Sequence, residues 1–275
     1  MSTWSSRHPA THGVAAHHRS GTFADRWIFV FMAALFFATT LAGFIPNSFV
    51  LLHKVETGVH PPLTPELHVH AVLMGLWMSL LLVQTLLALT GYRQLHQKLG
   101  MVSLLLAPAL VVSAILLFPA IARSYNELLL NPPTGFDPGG LGRAKAYSLP
   151  FKLLEGLRHL VVFSVLVTWA LVVRRSDPET HRRLMILGTA ALVVVAINRL
   201  RPYGLPMNLY DYLPVFFWEA VWVAPLLLYD MIRLRRVPKA WWIWLIVATP
   251  PTYAFKLLAK TPWWLETTKR LLGLD

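Results

Sequence analysis

An all-α membrane bundle of about seven helices is the fold this sequence predicts, and three observations predict it. Only 14% of the 275 residues are charged while 56% are hydrophobic, against about 25% charged in soluble proteins. Three long runs, Trp27 to His53, Leu67 to Tyr92 and Leu99 to Ala122, contain no Asp, Glu, Lys or Arg. Each is enough for a hydrocarbon core of about 30 Å, which takes roughly 20 helical residues. No strand-like alternation accompanies these runs, and an open sheet cannot satisfy its backbone in lipid, so the spans are helices. A soluble enzyme, a disordered chain and a secreted disulfide scaffold are thereby excluded. The absence of cysteine removes disulfides, thiolate metal sites and a catalytic thiol.

Residues 1–25 read as a polar tail carrying His8, His12, His17 and His18. The tail is long and polar for a secretory leader and the apolar run behind it can span, which predicts an uncleaved first helix. A transmembrane domain over 26–258 then follows, with apolar segments at about 26–46, 66–91, 99–121, 157–174, 182–199, 212–232 and 239–258. The fourth and fifth are short: 15 uncharged residues separate Arg158 from Arg174, and 15 separate Arg183 from Arg199. Such helices either cross with their arginines snorkelling to the interface or sit inside the bundle. Between the third and fourth segments, Asn131-Pro132-Pro133-Thr134-Gly135 and Pro138-Gly139-Gly140 are turn signals. They predict an extramembrane loop over 123–156. Residues 259–275 read as an interfacial tail, with Trp263 and Trp264 at the membrane surface. Trp241, Trp242 and Trp244 fit the same aromatic belt.

The formal net charge of +12 is explained by membrane topology rather than by nucleic acid, because the basic residues lie in loops and tails and form no groove-sized patch. With seven spans, Arg93, Lys98, Arg174, Arg175, Arg182, Arg183, Arg233, Arg235, Arg236 and Lys239 share the side of the N-terminus. The short loops opposite hold Lys54, Arg199 and Arg201. This bias predicts a cytoplasmic N-terminus. Arg123, Arg143, Lys145, Lys152 and Arg158 in the long loop, and Lys256, Lys260, Lys269 and Arg270 in the tail, count the other way.

Four histidines stand near the starts of consecutive apolar helices: His70, His96, His159 and His181. The first two segments and the last two also echo each other, as a His, an apolar helix, a basic turn, then His and a second apolar helix. The pattern suggests a degenerate two-helix repeat. Because spans alternate in direction, His70 (or His68) and His159 belong to one face of the membrane, and His96 and His181 to the other. Neutral imidazole is a common axial ligand of haem iron. Paired in this way, the four would hold two haem b groups, one near each surface, suited to stepwise electron transfer. The arrangement resembles the two-haem transmembrane b-type cytochromes that take electrons from ascorbate, whose ligands come from corresponding helices. That resemblance is one of topology and covers about 66–199. It departs from the family in placing the histidines at helix ends and in lacking its ascorbate-contacting motifs.

A resemblance in sequence runs over most of the chain. Phe44-Ile45-Pro46-Asn47-Ser48-Phe49, the His68-Val69-His70 start of the second segment, Trp77, Gln84, the Leu95-His96 to Leu99-Gly100 start of the third, and Tyr229-Asp230 before basic residues are similar to a group of uncharacterised, mostly proteobacterial multi-pass proteins. The resemblance implies a seven-helix fold in a bacterial inner membrane and brings no activity.

Other readings compete. Glu66, His68, His70 and His159, with His53 and His60 nearby, form an alternative outer-face site for copper, zinc or iron. On a regular helix, however, His68 and His70 diverge by about 200°. Glu219 within the sixth segment is either a proton relay or the partner of Arg199 or Arg201. Gln84 reads as interhelical hydrogen-bond glue. Arg123, Arg158 and Arg201 on one face, and Lys98 and Arg182 on the other, are candidates for haem propionates or plain interface anchors. No phosphate loop, nucleophile elbow or His-Glu-x-x-His helix is present, so enzyme status stays open. A non-catalytic assembly protein is the third reading. The expected partners are membrane lipid and a redox partner, and oligomeric state is not legible.

Overall fold

The computed structural model describes residues 23–131, 138–200 and 217–272, and every described segment of length is helical. In chain order the helices are α1 (Phe23–Glu56), α2 (Pro65–Thr90), α3 (Arg93–Gly100), α4 (Ser103–Leu130), α5 (Pro138–Val173), α6 (Pro178–Ile197), α7 (Phe217–Leu234), α8 (Lys239–Leu258) and α9 (Pro262–Leu272). Most of the tail at 1–25, the Pro132-Pro133-Thr134-Gly135 turn signal expected from sequence and Arg201 lie outside the described residues.

Among the described residues, five helices are long and apolar enough to cross a membrane: Trp27–Glu56, Pro65–Thr90, Arg93–Ser124, Pro150–Val173 and Pro178–Ile197. Large side chains such as Leu105 (77% exposed), Val172 (74%) and Ile246 (71%) point outward, a surface that water does not tolerate in large patches and lipid does. The chain is thus a multi-pass helical membrane protein. The sixth and seventh expected spans do not reach the same standard. Helix α7 has 18 residues and contains Glu219, Asp230 and Arg233, and α8 interrupts its apolar run with Pro250 and Pro251.

Two boundaries also differ from expectation. Helix α1 continues through Pro46 to Glu56 instead of stopping near 46; Pro is tolerated in membrane helices because neighbouring groups re-satisfy the backbone. The stretch expected as a loop at 123–156 is largely helical, as the end of α4 and the start of α5. Pro138-Gly139-Gly140 is the first turn of a helix, where proline's missing N–H costs nothing.

The short fifth segment resolves as core. In α6, 78% of the apolar stretch is buried, against 17% in α2 and 22% in the continuous α3–α4 stretch Arg93–Ser124. Two glycines allow this central position. A Cβ on Gly43 of α1 would come within 2.5 Å of the Ala196 carbonyl oxygen of α6, and one on Gly188 of α6 would meet Leu166 and Val167 of α5 at 3.1 Å. Around α6, Trp77 of α2 packs edge-on against Phe163 of α5 with centroids 5.0 Å apart. Its indole N–H donates to Thr189 of α6 at 3.2 Å. Helix α6 starts cleanly because Asp177 caps it, accepting from the Thr180 N–H at 3.0 Å, with Pro178 in the first turn. The C-terminal α9 packs rather than floating: Trp264 is buried beside Leu153 and Leu154 and donates to the Pro150 carbonyl at 3.0 Å, while Trp263 is exposed.

Candidate cofactor cavity

A cavity of about 640 Å³ opens at the end of the bundle where α2 and α5 finish and α3, α4 and α6 begin. Its size falls within the roughly 300–1,000 Å³ of small-molecule sites. Trp77, Leu80, Leu81, Met185 and Ile186 line its floor. Both His96 and His181 stand on its wall.

Local structure fixes the tautomer of each. His96 Nδ1 lies 3.2 Å from the Gln84 carbonyl oxygen, and His181 Nδ1 lies 2.8 Å from that of Ala170. A carbonyl only accepts, so Nδ1 carries the proton and Nε2 holds the lone pair. Metal-bound histidines share this arrangement, in which the far N–H on a backbone carbonyl orients the ring and raises its basicity.

At the other end, His70 Nδ1 lies 3.0 Å from Ser113 Oγ. The Ser113 hydroxyl proton is committed to the Leu110 carbonyl at 2.8 Å, so His70 is the donor and its Nε2 also holds the lone pair. His159 is 4% exposed, and its Nε2 is buried without a hydrogen-bond partner. Helical register puts it on the α2–α4 side of α5. It stands three residues after Gly156, whose added Cβ would strike the Phe118 ring of α4, and four before Phe163, which meets Trp77. His70 lies seven residues before Trp77 on α2, so both histidines stand on the N-terminal side of the Trp77–Phe163 contact. Only His96 and His181 are seen lining one cavity.

The alternative metal-site residues have other partners. Glu66 pairs with Arg123 at 3.2 Å. His68 is exposed with Nδ1 on the Thr64 carbonyl, and His60 holds the Pro61 carbonyl. Among the described residues no three His, Cys, Asp or Glu side chains converge on a common point. Gln84 is not the expected glue: its amide nitrogen and oxygen are both buried with no hydrogen-bond partner, on a residue that lines the cavity. Lys98 is exposed and absent from the cavity wall, whereas Arg182 lines it.

Comparison adds no relative. No protein-family model, curated protein or solved structure matches the chain.

Two buried ion pairs hold the frame of the site. Glu219 pairs with Arg158 at 2.8 Å, a partner the sequence did not name; of the two arginines it did name, Arg201 lies outside the described residues. Glu219 accepts from the Trp244 indole at 2.9 Å, and Arg158 also donates to Thr252 at 2.7 Å. Near the opposite end of α7, Asp230 takes two hydrogen bonds from Arg183 and a third from the Trp241 indole at 2.7 Å. In both cases an arginine of α5 or α6, a carboxylate of α7 and an indole of α8 form one unit. The repeated unit explains how the charged α7 enters the bundle. It also removes Arg158 from the candidates for a propionate. The sequence places Trp241 and Trp244 in an interfacial aromatic belt and Asp230 only in the Tyr229-Asp230 motif; both indoles are instead buried donors to the carboxylates of α7. The available signal was two acids, Glu219 and Asp230, in one otherwise apolar helix, each requiring a buried cation.

Proposed function

We propose that this protein binds haem b and passes electrons between the two faces of the membrane, with His96 and His181 as axial ligands at the cavity end and His70 and His159 at the other. The observation that carries the reading is the pairing of two imidazoles on one cavity of about 640 Å³, each with Nδ1–H donated to a backbone carbonyl. Haem bound there would supply one-electron chemistry to a chain that has no cysteine to hold an iron–sulfur or copper-thiolate centre. The protein's part is to bind and orient. The two carbonyls lock the rings, the Trp77, Leu81 and Ile186 floor excludes water, and the ion-paired α7–α8 hairpin keeps α5 and α6 in place. For the second pair the support is narrower: the unpartnered, buried Nε2 of His159 and the orientation of His70 by Ser113. With the cavity end carrying Arg93, Lys98, Arg174, Arg175, Arg182 and Arg183, the reading puts that end in the cytoplasm of a bacterium.

The test is the haem and iron content of protein purified after expression with ample haem supply. Two haems per chain are expected, and one haem would restrict the reading to the cavity pair. Protein free of haem and iron after such expression would end the proposal and favour the assembly-protein reading.

A further inference from the structure

The charges at the cavity end do not balance locally. Arg93, Arg174, Arg175 and Arg182 all line the cavity, and among the described residues none of the four forms an ion pair. The carboxylates of that end are engaged by other cations. Asp25 holds Arg233 at 2.8 Å and accepts from the Tyr229 hydroxyl. Asp177 holds Lys239 at 2.6 Å. Glu179 lies against Arg236 at 3.3 Å and Arg183 at 3.5 Å, and Asp230 is taken by Arg183. Arg182 is instead stacked over the Phe29 ring, 4.7 Å from its centroid, and Arg174 donates to the Leu171 carbonyl. Both contacts hold a guanidinium in place without pairing it to a carboxylate. A second sign of a missing partner is the Gln84 amide on the same wall, buried with neither atom bonded.

We infer that these arginines anchor the acid groups of the cavity's occupant, so that the site selects a flat apolar ligand with carboxylates at one edge. The inference rests on the haem reading and sharpens it: Arg93, Arg174, Arg175 and Arg182 are positioning residues for the two propionates, and the apolar floor takes the macrocycle. Arginine suits the task because its planar fork binds a carboxylate through two parallel hydrogen bonds and stays charged at a membrane surface. The same guanidinium cluster also fits the phosphate of an anionic lipid headgroup, which is chemically a second source of the anion.

The experiment compares two ligands on the full chain in nanodiscs: haem b and its dimethyl ester, which has the same iron and ring but no acid groups. Binding is followed by quenching of tryptophan fluorescence and by the Soret band, in phosphatidylcholine and in phosphatidylglycerol. Haem b is expected to bind at least tenfold more tightly than the diester in both lipids, a factor appropriate to one or two charge-assisted hydrogen bonds. In an Arg174→Gln/Arg182→Gln variant the preference should shrink toward parity. The low-spin spectrum of that variant at saturating haem should remain that of the parent, which shows that the fold and the axial pair persist. Equal affinity for the two ligands with a normal low-spin spectrum overturns the anchoring and leaves the haem reading standing. A preference seen in phosphatidylcholine and abolished by phosphatidylglycerol assigns the arginines to a lipid phosphate, and overturns it too. Failure of both ligands to bind removes the haem reading itself, and the inference with it.

Discussion

The carboxylate of Glu219 meets the guanidinium of Arg158 at 2.8 Å, with side chains 0% and 2% exposed. The contact joins α7 to α5 across the bundle, and the equivalent Asp230–Arg183 contact joins α7 to α6. Together they let a helix with three charges pack among apolar neighbours. Removing one partner leaves a buried charge without compensation, which costs about 3–5 kcal/mol. Glu219→Gln and Arg158→Met are each expected to lower the thermal midpoint in detergent strongly. The double variant Arg158→Met/Glu219→Leu should recover most of the loss, because an apolar pair of similar volume needs no counter-charge. Equal damage from the double variant would mean that the pair contributes through Trp244 and Thr252 instead.

Close approach of α1 to α6 depends on Gly43. A Cβ there would stand 2.5 Å from a backbone oxygen, an atom that cannot rotate away. Gly43→Ala is expected to cost about 1–3 kcal/mol by forcing the helices apart. The exposed Gly75, whose added Cβ meets nothing within 4 Å, serves as the control; Gly75→Ala should be neutral or slightly stabilising. Chemical denaturation in mixed micelles separates the two.

Asp177 gives the pH dependence. The hydrogen bond from Lys239 first, and those from Thr180 second, hold its carboxyl below the ordinary 3.8. A group favoured as carboxylate in the folded state contributes stability above its unfolded pKa, and that contribution is lost as pH falls below about 3.8 toward the folded value. The group is largely solvent-screened, so the effect is modest. Asp177→Asn, which keeps a capping oxygen, should flatten the loss of stability between about pH 5 and pH 3. Asp177→Ala should also lose the cap, about 1 kcal/mol at neutral pH. Melts across that pH range check both.

How much was legible in the sequence follows from what each feature depends on. The apolar runs announced the first three crossings, because length and lack of charge are properties of a single segment. The fifth segment was ambiguous from sequence, since 15 uncharged residues fit either a thinned bilayer or a core. Gly43 and Gly188 decide it, and their partners are distant in the chain. Glu219 was visible as a costly acid, but its partner was not. Arg158 stood at the very start of the expected fourth segment, and the earlier start of α5 at Pro138 sets it well inside a long helix. The four histidines were legible as a register. Their tautomers were not, because Nδ1 of His96 and His181 is fixed by carbonyls of the preceding helices, which a motif does not encode. The unpaired arginines were equally hidden, since an arginine is recognised as unpaired only when every nearby acid is seen to be engaged.

Trp77 offers a further check on the frame. Its indole N–H to Thr189 and its ring against Phe163 tie α2, α5 and α6 together beneath the cavity. Trp77→Phe should cost about 1–3 kcal/mol through the vacated volume and the Thr189 hydroxyl left without its donor. It should also weaken haem uptake several-fold. Thr189→Val, which removes the acceptor but preserves volume, should cost less.

The central claim is that His96 and His181 bind one haem between them, and the dithionite-reduced visible spectrum of haem-replete protein tests it most directly. The wild type should show a sharp low-spin α-band. His96→Ala and His181→Ala should each remove the same component of that band, while His70→Ala should leave that component and remove the other. A spectrum without a haem band, or an α-band that both His96→Ala and His181→Ala leave unchanged, would contradict the account.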